Sequence, residues 1–193
     1  MQHKILLILD LDETLIHASR TELRTDFDFK ISDYFVYKRP FLAEFLRFCA
    51  ENFILAVWSS ASDDYVAEVV KQIFPADIPL AFVWGRSRCT PIISPNVDLY
   101  GYHNMDITTG YEYAKILKKA KKQGFSFEKM LIVDDTPLKV ANAYGNAIYP
   151  KMYEGAKDDD ELVYLAQYLD TLKAVENVRR IEKRNWRNRL KIQ

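Results

Sequence analysis

Ile5-Leu6-Leu7-Ile8-Leu9-Asp10-Leu11-Asp12-Glu13-Thr14-Leu15 is the stretch on which the reading of this chain turns. A short, β-prone apolar run breaks into two carboxylates two residues apart. Such a run reads as a buried strand of a parallel sheet. Open α/β sheets bind ligands beyond the carboxyl ends of their strands, so Asp10 and Asp12 arrive where chemistry is expected. A pair of this kind can hold a divalent cation through oxygen. It can also divide labour, one carboxylate attacking and the other moving a proton. An Asp-rich turn that merely caps a strand is the plainer alternative, and the downstream sequence weighs against it.

Outward from that run, strand-like and helical patterns alternate. Strands are expected at 4–10, 53–58, 80–84, 130–133 and 147–149. Helices are expected over 40–51, where Pro40 suits a first turn, over 62–74, with Ser62 as cap and two acids behind it, and over 110–122, stopped by Gly124. That alternation predicts a parallel sheet with right-handed crossovers. Residues 21–38 break the rhythm and read as a β-hairpin inserted after the first strand, too small for a lid. Residues 89–105 read as a long irregular loop. The acids at 158–161 open a helix with Leu162, Leu165, Leu169 and Leu172 on one side, and they complement its N-terminus. Residues 1–172 are thus expected to form one domain, followed by a basic helix over 173–193, read first as a solvated face and second as a docking surface for an anionic partner.

Composition excludes several classes. Basic and acidic residues number 27 each in 193 residues, so no global field draws the chain to nucleic acid or membrane. A chain of this length buries roughly 70% of its unfolded surface. Nothing approaches the ~20 apolar residues that span a bilayer. Cys49 and Cys89 form neither a C-x-x-C pair nor a zinc set, and Cys49 sits in an apolar helical pattern as core filler. Free cysteines without a signal peptide point to the cytoplasm. A cysteine phosphatase needs C-x5-R, and neither cysteine has the arginine. No H-E-x-x-H or G-x-S-x-G is present.

What remains is a constellation in order along the chain. The first strand ends in Asp10-Leu11-Asp12-Glu13-Thr14, the second in Ser59-Ser60, Lys115 lies on the helix before the fourth, and the fourth ends in Asp134-Asp135-Thr136-Pro137. Phosphoryl transfer asks for these residue types. A carboxylate approaches a phosphate dianion only when positive charge screens both. Magnesium held by Asp10, Asp134 and Asp135 supplies that charge, and Lys115 adds a point charge on the phosphate. Ser59 offers its hydroxyl and its backbone amide, with Ser60 beside it on the phosphate side. Asp12, crowded by carboxylates and phosphate, should have a raised pKa and carry the proton. In receiver domains similar parts run in another order, with the acid pair first.

Asp10-Leu11-Asp12-Glu13-Thr14-Leu15-Ile16-His17 resembles the first motif of the haloacid dehalogenase superfamily, in the form found in small C-terminal-domain phosphatases and their NLI-interacting-factor-like relatives. The resemblance runs on through 37–46, Trp58-Ser59-Ser60-Ala61-Ser62, the Lys115 region, Asp134-Asp135-Thr136-Pro137 and the helix at 160–162, covering residues 4–172. It implies a Rossmann-like α/β fold without a large cap. It also implies Asp10 as nucleophile, Asp12 as general acid and base, Ser59 and Lys115 on the phosphate, and Thr14 supporting the nucleophile loop. Magnesium would rest on Asp10, the Asp12 carbonyl and the Asp134/Asp135 pair. Two positions depart from the family pattern: Ser59 often stands as Thr, and Asp135 often as Asn. The best-known relatives dephosphorylate phosphoserine in the tail of RNA polymerase II, and the minimal length looks more like the bacterial members. Lacking a lid, the site suits a phosphoprotein, and the hairpin aromatics Phe27, Phe29, Phe35 and Tyr37 with Ile31 offer an apolar wall for a peptide. Two other readings stand beside this one. The first is a non-catalytic module like the mitochondrial import-receptor relatives, disfavoured by the intact acids. The second is a phosphatase for small metabolites or nucleic-acid ends.

Overall fold

The computed structural model describes residues 4–92 and 112–190. In chain order the elements are β1 (Leu6–Leu9), β2 (Ile16–Ser19), β3 (Phe29–Ile31), β4 (Tyr34–Lys38), α1 (Leu42–Asn52), β5 (Ile54–Trp58), α2 (Asp63–Ile73) and β6 (Leu80–Trp84). They continue with β7 (Thr90–Ile92), β8 (Glu112–Ala114), α3 (Lys118–Lys121), β9 (Met130–Val133), β10 (Ala147–Ile148), α4 (Glu161–Leu172) and α5 (Trp186–Arg189). Five strands form one parallel sheet in the order β10-β9-β1-β5-β6. The first apolar run is therefore its centre. Period-two alternation splits β1 between two cores. Leu7 and Leu9 pack with residues of α1, α2 and α4 on one face, while Leu6 and Ile8 pack with Trp58, Leu117, Ile132 and Ala143 on the other. This is the layered α/β architecture the alternation predicts.

Register does the positioning. Leu9 lies opposite Val57 on one side and Val133 on the other. The residues just beyond them leave the sheet at one level, and the Asp10 amide donates to the Val133 carbonyl at 3.0 Å. Three sequence-distant loops thus open onto one edge.

Several local expectations change. The segment 110–122 is not a helix: Glu112–Ala114 is a strand paired antiparallel with Thr90–Ile92, and the helix is only Lys118–Lys121. Lys115 therefore follows a strand, and the irregular loop expected from residue 89 begins as one; the remainder of that loop, with Gly110 and Tyr111, lies outside the described residues. Helix α1 begins at Leu42, after Phe41 in the left-handed region at φ 63°, rather than at Pro40. Ser62 stands before α2 without a capping hydrogen bond. The hairpin β3–β4 gains β2 as a third antiparallel strand.

The basic tail is not one helix. It makes two short turns, Val178–Arg180 and Trp186–Arg189, and both Val178 and Trp186 are buried in the main core. Trp186 Nε1 donates to the Tyr149 carbonyl at 2.9 Å. Apolar anchoring outweighs the helical propensity of the charged residues between them. Arg187 pairs with Asp160 at 2.7 Å and with Glu161, so the acid run before α4 is matched by side chains as well as by the helix terminus. Cys49 and Cys89 are free and buried. Among the described residues no helix is long and apolar enough to cross a membrane.

Candidate active site

The loop after β1 is wound tightly. The Leu11 carbonyl accepts from the amides of Thr14, Leu15 and Ile16. Glu13 is held at φ 58°, a costly conformation for a residue with a side chain. Both its backbone groups are committed, the amide to Ile16 at 2.8 Å and the carbonyl to Tyr153 at 2.8 Å. Among the described residues the Asp12 carbonyl accepts nothing, which leaves it open at the edge.

Asp10, Asp134 and Lys115 are buried together. Lys115 Nζ lies 2.7 Å from Asp10 Oδ1 and 2.6 Å from Asp134 Oδ2. Burial works against the ammonium, but the two carboxylates outweigh it and hold Lys115 protonated. Burial and the neighbouring Asp10 push Asp134 up. Strand β8 makes this possible: the amide of Lys115, the next residue, donates to the Lys139 carbonyl at 2.7 Å, aiming the side chain under the sheet edge.

Oxygens of Asp10, Asp134 and Asp135 lie within 4.8 Å of one another. Asp10 Oδ2 is buried with no hydrogen-bond partner. Burying such an oxygen unpaired is expensive, and a hard divalent cation with oxygen ligands would satisfy it. The donor set therefore fits magnesium. Thr14 ties the two acidic loops together, its hydroxyl accepting from the Asp135 amide at 3.2 Å and lying 3.5 Å from Asp135 Oδ1.

Asp12 points the other way. Tyr65 donates its hydroxyl to Asp12 Oδ1 at 2.7 Å and Ser59 to Oδ2 at 3.3 Å. Burial is the largest influence and lifts the Asp12 carboxyl above its usual range, opposed by Tyr65 and aided by Asp10. That is the direction expected of a proton carrier. Ser59 differs from expectation in one respect: its amide is spent on the Trp84 carbonyl at 2.9 Å, because it continues the sheet ladder. Only its hydroxyl faces the site, also accepting from the Ala61 amide at 3.0 Å. Ser60, half-buried beside it, has no described acceptor for its amide. Gly85 lets this loop sit close to α2, since a Cβ there would fall 2.5 Å from Asp63 Oδ1.

Two residues here were not singled out by sequence. Tyr65 lies in the first turn of α2, which follows a strand end; that position faces the ligand edge of an α/β sheet and was the available signal. Arg39 is buried. It donates to the Thr14 carbonyl at 2.9 Å and the Lys151 carbonyl at 2.8 Å, and binds Asp159 through both oxygens at 2.7 and 2.8 Å. It fastens the first motif to the start of α4, and no local pattern announces a buried arginine.

A cleft of about 650 Å³ opens from Asp12 and Glu13 between α2 and the small sheet, walled by Ile31, Tyr34, Tyr65 and Arg86. Of the hairpin residues expected as an apolar wall, only Ile31 lines it. Tyr37 is buried, Phe29 packs on the core, and Phe27 meets Phe35 edge-on at 5.1 Å.

Glu13 offers a test of these electrostatics. Burial first, then Asp12 and Asp135, push its carboxyl up to about 7. Between its unfolded value near 4.5 and about 7, the unfolded chain ionises while the folded one resists, so stability falls as pH rises through that window. Glu13→Gln should melt several degrees higher than the wild type at pH 8 in chelator and equally at pH 4. Thermal unfolding at the two pH values reads this, and an unchanged difference contradicts it.

A buried Asp–Lys–Asp centre lies at the carboxyl edge of the parallel sheet, with a second aspartate two residues on, as the resemblance of the first motif implies. Residues 5–179 match the family model described as NLI interacting factor-like phosphatase, and the chain belongs to that family. It is 29% identical over 188 residues to a probable C-terminal domain small phosphatase of Dictyostelium discoideum, covering 93% of this chain and 55% of that protein. It is 26% identical to the CTD small phosphatase-like protein 2 of the same organism, covering 91% of this chain but 29% of the relative. With the putative CTD phosphatase-like protein 355R of Invertebrate iridescent virus 3 it shares 27% identity, over 88% and 97% of the two chains. The fission yeast RNA polymerase II CTD phosphatase Fcp1 bound to beryllium fluoride has the same fold, with a TM-score of 0.55 at 17% identity over 98% of this chain and 61% of that one.

Proposed function

We propose that this chain is a magnesium-dependent phosphomonoester hydrolase that forms an aspartyl-phosphate on Asp10 and acts on phosphoserine or phosphothreonine in proteins. The observation that carries the reading is Asp10 itself: one oxygen is held by Lys115 at 2.7 Å and the other is buried without a partner.

Asp10, Asp134, Asp135 and the Asp12 carbonyl would hold magnesium, which when bound neutralises charge on nucleophile and phosphate. Lys115 orients Asp10 through its 2.7 Å contact. An Asp10 oxygen attacks phosphorus as the bond to the leaving oxygen breaks. Asp12, carrying a proton in its desolvated place, gives it to the departing alkoxide. Asp12 then accepts a proton from water, whose oxygen attacks phosphorus and releases Asp10. The Ser59 hydroxyl, with the Ser60 amide, is placed to steady the phosphoryl oxygens. The open cleft beside Asp12 supports a large substrate: Ile31, Tyr34 and Tyr65 offer apolar contact to the chain flanking a phosphorylated residue. The CTD phosphatase names of the relatives point the same way.

Hydrolysis of an aryl phosphate with and without magnesium tests the chemistry, and a phosphopeptide panel against sugar phosphates and 5′-phosphorylated oligonucleotides tests the substrate class. Preference for small phosphates would reject the protein-phosphatase reading. Asp12→Asn should slow alkyl phosphates about 100-fold or more, in keeping with general-acid catalysis, and aryl phosphates, with their better leaving groups, much less. Equal slowing would assign Asp12 another task.

A further inference from the structure

Charge at this edge does not balance with the residues assigned so far. Asp10, Asp12, Asp134 and Asp135 gather at this edge, and Lys115, which touches Asp10 and Asp134, is buried beneath them. A phosphate dianion needs further positive charge to enter. One more cation stands at the edge. Lys139 lies on the 3-10 segment Pro137–Ala143 that follows Asp134-Asp135-Thr136. Its backbone is fixed at both ends of the peptide, the amide donating to the Thr136 carbonyl at 3.1 Å and the carbonyl accepting from the Lys115 amide at 2.7 Å. The two lysines are thus locked to one another through the main chain.

The Lys139 side chain is half-buried. Among the described residues it forms no ion pair and no side-chain hydrogen bond, unlike Lys115. Its charge nevertheless reaches Asp12 and Glu13 on the first loop and Asp134 and Asp135 on the other. A lysine within reach of these four acidic residues and paired with none of them is placed for an anion that arrives later. Arg86, also at the cleft, is already engaged, bonding the Ser60 carbonyl at 2.9 Å and lying over Tyr113.

We propose that Lys139 is a second phosphate-binding residue of this site, taking a non-bridging oxygen of the substrate phosphoryl group while Lys115 holds the nucleophile. The proposal rests on the phosphatase reading. The competing role is simple compensation for the acidic cluster, which would show in metal affinity rather than in phosphate affinity.

The experiment compares wild type, Lys139→Gln and Lys139→Arg in the full chain. It reads kcat and KM for an aryl phosphate, the half-saturating magnesium concentration, and binding of inorganic phosphate by calorimetry with magnesium present. Lys139→Gln should raise KM and weaken phosphate binding about tenfold, in line with loss of one charge-assisted hydrogen bond. Lys139→Arg should recover most of the loss. Unchanged phosphate binding and KM with tighter magnesium binding would overturn the proposal in favour of compensation. A fall in kcat alone would overturn it too. Should the wild type show no turnover, the phosphatase reading fails by itself, and the calorimetric comparison still decides the role of Lys139.

Discussion

Asp10→Asn should lose at least four orders of magnitude in turnover, equivalent to about 5.5 kcal/mol in the barrier, and should stay folded. An amide is not a nucleophile toward phosphorus, and among the described residues no other carboxylate is placed as Asp10 is, with one oxygen anchored by Lys115 and the other free. Folding should survive because Lys115 keeps its 2.6 Å contact with Asp134. The charge of Asp10 also raises the carboxyls of Asp12, Asp134 and Asp135, so neutralising it relieves crowding. Without metal the variant should be as stable as the wild type or more so. Steady-state hydrolysis and urea unfolding check the two halves of this expectation. Wild-type turnover in the variant would reject Asp10 as nucleophile.

The second large effect is expected at Lys115. Lys115→Met removes a fully buried cation and leaves Asp10 and Asp134 facing each other unpaired. Breaking a buried ion pair from one side typically costs about 3–5 kcal/mol, and here two carboxylates lose their partner. In chelator the variant should unfold at markedly lower urea. Magnesium should then restore part of the loss, since a ligand at about 100 times its dissociation constant contributes about 2.7 kcal/mol. That recovery should exceed the stabilisation magnesium gives the wild type, because the crowded carboxylates bind the cation more tightly once the ammonium is gone. Activity should stay depressed by about three orders of magnitude even when folding is restored, as expected when a positioned charge is removed from a phosphoryl-transfer site. Equal urea midpoints for variant and wild type in chelator would show that the ion pair does not hold this edge together.

The parts legible in the sequence share one property: their signal is local. Each of the runs 54–58, 80–84 and 130–133 is apolar, short and followed by polar residues, and each is a strand of the main sheet. Asp10, Asp12, Asp134 and Asp135 were readable because strand ends coincide with the ligand edge. Illegible parts depend on distant partners. Residues 112–114 look helical beside Lys118 and Lys119, yet they pair with 90–92, and nothing within a few residues encodes that choice. Lys183 reads as part of a solvated basic face, and Arg39 carries no local signal of burial. In the structure Arg39 bonds Asp159 and two carbonyls, and Lys183 bonds the carbonyls of Gly145, Val178 and Ile181. Partners from the end of the chain turn apparent solvent residues into internal ones. The Ser59 amide failed for the same reason: its acceptor, the Trp84 carbonyl, lies on another strand.

The centre of the sheet has a consequence for how the molecule is made. Leu6–Leu9 precedes both of its sheet neighbours, Ile54–Val57 and Met130–Val133, by long stretches of chain. Until residue 133 has emerged, the central strand of the sheet has an open flank. Parallel pairing across such separations closes large loops before any contact rewards them, which slows folding. The nascent chain therefore carries an exposed sticky segment until Met130–Val133 has been made, and the acidic edge that depends on it forms only after translation has passed Asp134 and Asp135. Production of active protein should accordingly be sensitive to translation speed and to early chaperone supply.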